Sequence, residues 1–128
     1  MNGKDPNGIN QHAPGAKLDD GKIMAGVLID FSLALSEIAK IGTFGAKKYT
    51  RGGWQFVKNG QERYMDALWR HLLKERHEPT DKDSGLLHSA HMAWNALARL
   101  ELILRNKIEP SGERDCSDKE SPSMRGVD

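Results

Sequence analysis

A single cysteine, Cys116, stands among the 128 residues. An internal disulfide and a cysteine-built zinc site are therefore excluded, and the polar residues around Cys116 offer no partner for thiolate chemistry. Long apolar runs are also missing. Nothing approaches the roughly 20 residues that span a bilayer, and residues 1–20 lack the apolar centre of a signal peptide, so the sequence is read as that of a cytoplasmic protein. Nor does charge of one sign prevail: 19 Lys and Arg face 18 Asp and Glu, a formal net charge of +1. No bulk field draws the chain to nucleic acid polymers or to an anionic membrane, and any polyanion it handles must be met locally. With 38% apolar and 6% aromatic residues, the chain holds one modest core. No Walker-type G-x-x-x-x-G-K-[ST] and no His-Asp dipeptide occurs, which excludes those two phosphate-handling signatures.

What is present is helical periodicity. Residues 1–22, with Gly3, Pro6, Gly8, Pro14, Gly15 and Gly21, read as an extended arm, and residues 107–128, with ten charged side chains, read as a disordered tail. Residues 23–106 must supply the core. There Val27, Phe31, Ala34, Leu35 and Ile38 predict a helix over 27–41, fraying at Gly42 and Gly45 into a basic, glycine-rich loop. Tyr64, Met65, Leu68, Trp69 and Leu72 predict a second helix over 61–78, stopped by Pro79. A third, capped by Asp83 or Ser84, continues to about residue 106 on a stripe of Leu86, Ala90, Ala93, Trp94, Leu97, Leu100 and Leu104. The expected fold is an all-α helical bundle completed by oligomerisation, as a homodimer or homotetramer; a monomer capped by its own arm is the alternative.

Polar residues break these stripes in an informative way. Glu75 falls inside the apolar face of the second helix, where a carboxylate needs a cation: Arg70, Lys74 or Arg76 could supply it, or a metal ion could. Glu75, Glu78 and Asp81 form E-x-x-E-x-x-D, and Glu37 on the first helix could complete an oxygen-ligand set suited to Mg²⁺ or Mn²⁺. Asp66, on another face of the second helix, is a lesser candidate. His88, His91, Asn95 and Arg99 draw a narrow polar line along the third helix. No third His or Cys stands nearby to close a zinc site, so His88 and His91 are expected to hydrogen-bond a ligand or orient carboxylates. Lys47, Lys48 and Arg70, with His71 beside the last, suit a phosphorylated small molecule, whose base Trp54 could stack and whose purine edge Asn95 could read.

Four segments carry a family resemblance. Gly15-Ala-Lys-Leu-Asp-Asp-Gly-Lys22, Glu37-Ile-Ala-Lys-Ile-Gly-Thr-Phe-Gly-Ala-Lys-Lys-Tyr49, Arg70-His-Leu72 and Ser84-Gly-Leu-Leu-His-Ser-Ala-His-Met-Ala-Trp-Asn95 together resemble the phage dATP/dGTP diphosphohydrolases, the MazZ-like branch of the all-α MazG nucleotide pyrophosphohydrolases. The resemblance implies a Mg²⁺-dependent enzyme, with Mn²⁺ able to substitute, that converts dGTP and by extension dATP to the monophosphate and pyrophosphate in the host cytoplasm, the dGMP feeding 2-aminoadenine nucleotide synthesis. MazG enzymes hold their metal with E-x-x-E and E-x-x-D pairs. Here Glu37-x-x-Lys40 keeps one acid, His88-x-x-His91 stands where an acidic pair is sought, and Glu78-x-x-Asp81 satisfies E-x-x-D at a helix end. The expected site thus has Glu37, Glu75 and Glu78 as catalytic metal ligands with Asp81 and Asp66. Lys22, Lys47, Lys48, Trp54, Arg70, His71, His88, His91 and Asn95 are expected to hold substrate, Lys22 across a subunit boundary. A helical interaction protein and a triphosphohydrolase are the other classes the sequence admits.

Overall fold

The structure, a computed structural model, describes residues 3–108. Cys116 and all but the start of the expected tail lie outside them. Among the described residues three α-helices and two short 3-10 segments carry the regular structure, with one isolated β-bridge between Thr80 and Leu87; the fold is all-α. The chain divides into two compact units at the Ser32–Leu33 boundary.

In the first unit, Asp5 organises the residues read as the arm. One carboxylate oxygen accepts the backbone N–H groups of Asn7 and Ile9, and the other accepts that of Lys17 at 2.9 Å. These bonds, Lys17 foremost, hold the Asp5 carboxyl below its ordinary value, as donors to a carboxylate do. A 3-10 segment, Ala25–Phe31, follows. Its apolar side chains are exposed, Ile23 just before it by 90%.

Helix α1 spans Ser32–Lys48. It starts later than its periodicity predicts, because Ala25–Phe31 winds as 3-10, and it runs on through Gly42 and Gly45. Tertiary contact explains the extension: a Cβ on Gly42 would lie 3.3 Å from the Trp94 indole nitrogen, so the missing side chain seats the indole. Lys47 and Lys48 occupy the last turn, where cations face the negative end of the helix dipole. They are helix residues, not loop residues as the sequence suggested.

A second 3-10 segment, Gly53–Phe56, leads to α2, Gly60–Glu75, entered through Asn59 at φ 57°, a left-handed conformation that Asn tolerates. The helix ends at Glu75, earlier than predicted. The N–H groups of His77 and Glu78 both return to the Lys74 carbonyl, and Pro79 bars the preceding residue from helical backbone. Helix α3, His88–Ile108, starts later than expected because Asp83 and Ser84 belong to a tight hairpin. Asp81 N–H donates to the Leu86 carbonyl, Gly85 N–H to that of Asp81, and His88 N–H to that of Pro79.

The two helices are antiparallel neighbours. Gly60, which opens α2, lies against Leu102 near the end of α3, while His71 near the end of α2 meets His88 at the start of α3. Trp54, Tyr64 and Trp94 pack edge to face at the first of these ends, with ring centroids 5.7 to 6.5 Å apart in the geometry that aromatic quadrupoles prefer. The Tyr64 hydroxyl donates to the Trp54 carbonyl at 2.5 Å, and burial pushes its pKa up to about 12. The interior of α3 differs from its predicted stripe. Ala90 and Ala98 are buried, but so are His88, His91 and Asn95, whereas Leu97, Leu100 and Leu104 remain about half exposed.

Candidate functional site

The hairpin between α2 and α3 brings imidazoles and carboxylates together. His71 comes from the last turns of α2, His88 and His91 from the first turn of α3, and Glu78, Asp81 and Ser84 from the connection. The i, i+3 spacing of His88 and His91 sets both rings on the face of α3 that meets α2.

The rings form a layered contact. His71 lies parallel to His91 at 4.3 Å between centroids, and its Nδ1 is 2.8 Å from His88 Nδ1. Ser84 Oγ is 2.6 Å from His91 Nε2 and accepts the Leu86 N–H, while the Ser84 N–H donates to Asp81 Oδ2. That carboxylate oxygen stands 3.8 Å from His91 Nε2, and Glu78 Oε2 stands 3.8 Å from His88 Nε2. Asn95 fixes the helical turn beneath by donating its side-chain N–H to the His91 carbonyl. The Phe44 ring of α1 meets the His91 imidazole edge to face.

Burial sets the charge state of the cluster. It depresses the His71 pKa to about 4, with the His91 imidazole adding to the effect and Asp81 opposing it. His91 is likewise lowered, by burial first and against the pull of Asp81. Asp81 moves down despite the opposing effect of burial, because the Ser84 N–H and hydroxyl and the nearby imidazoles favour its anion. At neutral pH the site therefore offers two uncharged imidazoles, at His71 and His91, beside one carboxylate. Lone pairs of that kind can bind a cation or accept a proton from water.

The expected residues fall in different places. Asp81, His71, His88 and His91 come together. Glu37 is bonded to Lys40 at 2.6 Å on its own helix, and Glu75 accepts the Ser89 hydroxyl. Asp66, Arg70 and Lys47 are exposed, and Lys22 belongs to the first unit. Lys48 forms a 2.7 Å ion pair with Asp83 and lies over the rings of Phe44 and Tyr49. Trp54 lines a cavity of about 260 Å³ with Trp94, Leu97, Ala98, Glu101 and Arg105. Ser84 was expected only as a helix cap; its partnership with His91 shows in the sequence only as its place in the turn between Pro79 and His88.

A family profile described as dATP/dGTP diphosphohydrolase, N-terminal, matches residues 12–111. The chain belongs to that family. A relative named dATP/dGTP diphosphohydrolase, from Salmonella phage PMBT28, is 40% identical over 94 residues, which cover 73% of this chain and 31% of that protein. The chain thus spans about a third of the length of this curated relative. No solved structure matches it. The histidine cluster and its hairpin lie within the matched residues.

Proposed function

We propose that the chain acts as a nucleoside triphosphate diphosphohydrolase: water bonds to the α-phosphorus of dGTP or dATP, the bridging bond to the β-phosphate breaks, and pyrophosphate leaves. The family match over residues 12–111 carries this reading. The dGMP released in the host cytoplasm would serve synthesis of a 2-aminoadenine nucleotide.

The residues present support the parts of such a reaction unequally. Lys47, Lys48 and Arg70 keep cationic heads at the surface, where they can meet phosphate oxygens. The cavity beside Trp54 and Trp94 has aromatic walls and polar groups from Glu101 and Arg105, which suits a purine base. Asn95 is a positioning residue in this reading, its amide being engaged by the His91 carbonyl. Asp81 and the uncharged imidazoles of His71 and His91 can take a proton from the attacking water. Magnesium, with manganese as substitute, is the ion the family reading calls for, and Mg²⁺ prefers oxygen ligands. Glu37, Glu75, Glu78, Asp81 and Asp66 do not fit an all-oxygen cage: among the described residues the group of three donors within 4.8 Å is His71, Asp81 and His88.

Assembly as a dimer or tetramer accompanies this proposal. Trp69 and Leu73 on α2 and Leu97, Leu100 and Leu104 on α3 expose about half of their surface, and apolar side chains exposed together mark interaction surfaces. Incubating the full chain with dGTP or dATP and Mg²⁺ or Mn²⁺, then separating the products by anion exchange, tests the activity. Monophosphate with pyrophosphate is the expected outcome. Nucleoside with triphosphate assigns a triphosphohydrolase instead, and unchanged nucleotide overturns the enzymatic reading.

A further inference from the structure

We propose that His71, His88 and Asp81 form a binding site for a divalent transition-metal ion of the zinc class, distinct from an oxygen-liganded magnesium site. The inference concerns binding of the ion, at a site that shares His71 and Asp81 with the proposed reaction, and it is tested without nucleotide.

Three observations carry it. First, one ligand atom from each of the three residues lies within 4.8 Å of the others. Two imidazoles and one carboxylate are the donors of open zinc sites, in which three protein ligands leave a coordination position for water. Imidazole nitrogen selects zinc, cobalt, iron or nickel over magnesium. The two Nδ1 atoms stand 2.8 Å apart, so a small opening brings them to the ~3.4 Å edge that two nitrogens each ~2.1 Å from a tetrahedral ion make.

Second, His88 is wholly buried and its Nε2 has no hydrogen-bond partner. Neither tautomer repairs this. If His88 donates its Nδ1–H to His71, its Nε2 is a bare lone pair facing the Glu78 carboxylate. If His71 is the donor, His88 carries Nε2–H, and Glu78 Oε2 at 3.8 Å lies beyond hydrogen-bond reach. A buried nitrogen left in this state costs about 1–3 kcal/mol; with an ion on the two Nδ1 atoms their shared proton is no longer needed, and His88 is held as the Nε2–H tautomer facing the Glu78 carboxylate, the outer partner that ligating imidazoles keep.

Third, the neighbours of the trio hold it in place, as the partners around metal ligands do. His91 stacks flat on His71, and Ser84 ties Asp81 to His91. The hairpin fixes Asp81 through backbone bonds at Asp81 and Gly85.

The test uses the full chain stripped with a chelator and titrated with Co²⁺ in the absence of nucleotide. Expected are visible d–d bands that saturate at one ion per chain, disappear on adding Zn²⁺ and persist in excess Mg²⁺. His71→Ala or His88→Ala should weaken Co²⁺ binding by more than ~100-fold, beyond the ~10–100-fold that loss of an outer partner causes, while His77→Ala, at an exposed histidine, leaves it unchanged. Nitrogen NMR of the wild-type imidazoles decides the matter even where a variant fails to fold: Zn²⁺ should move the ring resonances of His71 and His88 and leave those of His12 and His77 in place. Displacement of Co²⁺ by Mg²⁺, unchanged affinity in folded His71→Ala and His88→Ala variants, or resonance shifts confined to His12 and His77 would overturn the proposal. None of these outcomes bears on whether dGTP is hydrolysed.

Discussion

The two ends of the α2–α3 pair solve the same packing problem with opposite chemistry. At one end Trp54, Tyr64 and Trp94 meet edge to face and Gly60 lets the helices close on Leu102. At the other, His71, His88, His91 and Asp81 fill the space between the same helices. Aromatic contact stabilises without requiring a partner for each atom. Imidazoles do require partners, and the unmatched Nε2 of His88 shows that the polar end is not optimised for stability. The first end holds the pair together, and the second gives up some stability for a reactive surface.

The sharpest way to break this comparison is Trp94→Ala, which removes the ring common to two of the aromatic contacts. A loss of about 3–4 kcal/mol is expected, measured as a shift of the urea unfolding midpoint; a loss below about 1 kcal/mol would mean that this end does not hold the pair. Next comes Asp81→Asn, which keeps an acceptor for the Ser84 N–H and removes the charge. Pyrophosphate release should fall by about 100-fold, equivalent to ~3 kcal/mol of barrier, with helical circular dichroism unchanged. Tyr64→Phe should cost about 1 kcal/mol through the lost bond to the Trp54 carbonyl, and it carries a pH signature. The Tyr64 hydroxyl ionises near 12 in the folded chain and near 10 when unfolded, so its contribution is whole below pH 10 and is lost as the pH rises through 12. Wild-type stability should fall along that limb, and Tyr64→Phe should flatten it.

A further effect sharpens the contrast from the acid side. His71 takes a proton near pH 4 when folded and near 6.5 when unfolded, so between these values the unfolded chain of the metal-free protein binds the extra proton. Stability is full above pH 6.5 and declines as the pH falls toward 4. Urea midpoints across this range should show the decline, and His71→Asn should lessen it. Acid thus weakens one end and alkali the other.

Much of this was readable in the residues, and the failures share a cause. Periodicity located three helices because 3.6-residue spacing is a local property. It misplaced their ends wherever a distant group intervened: Trp94 carries α1 through Gly42, and the Asp81–Ser84 turn delays the start of α3 until His88. The polar line His88–His91–Asn95 stood out in the sequence, yet it looked like a minor edge of an apolar cylinder. It proved to be the interior of α3, because His71 from α2 supplies the partner that a single helix cannot reveal. Glu75 was singled out for lying on an apolar stripe; its partner is the Ser89 hydroxyl, a neutral group that a search for compensating cations passes over. The His71–Asp81–His88 grouping needed the hairpin, whose closure rests on backbone hydrogen bonds and not on side-chain pattern.

Every member of that grouping is drawn from residues 71–88, a single helix–turn–helix. Its assembly therefore asks only for the closing of a short loop, among the faster events available to a polypeptide. The donors can converge before the rest of the chain has settled, and an ion present during synthesis would meet its ligands early enough to help the hairpin hold.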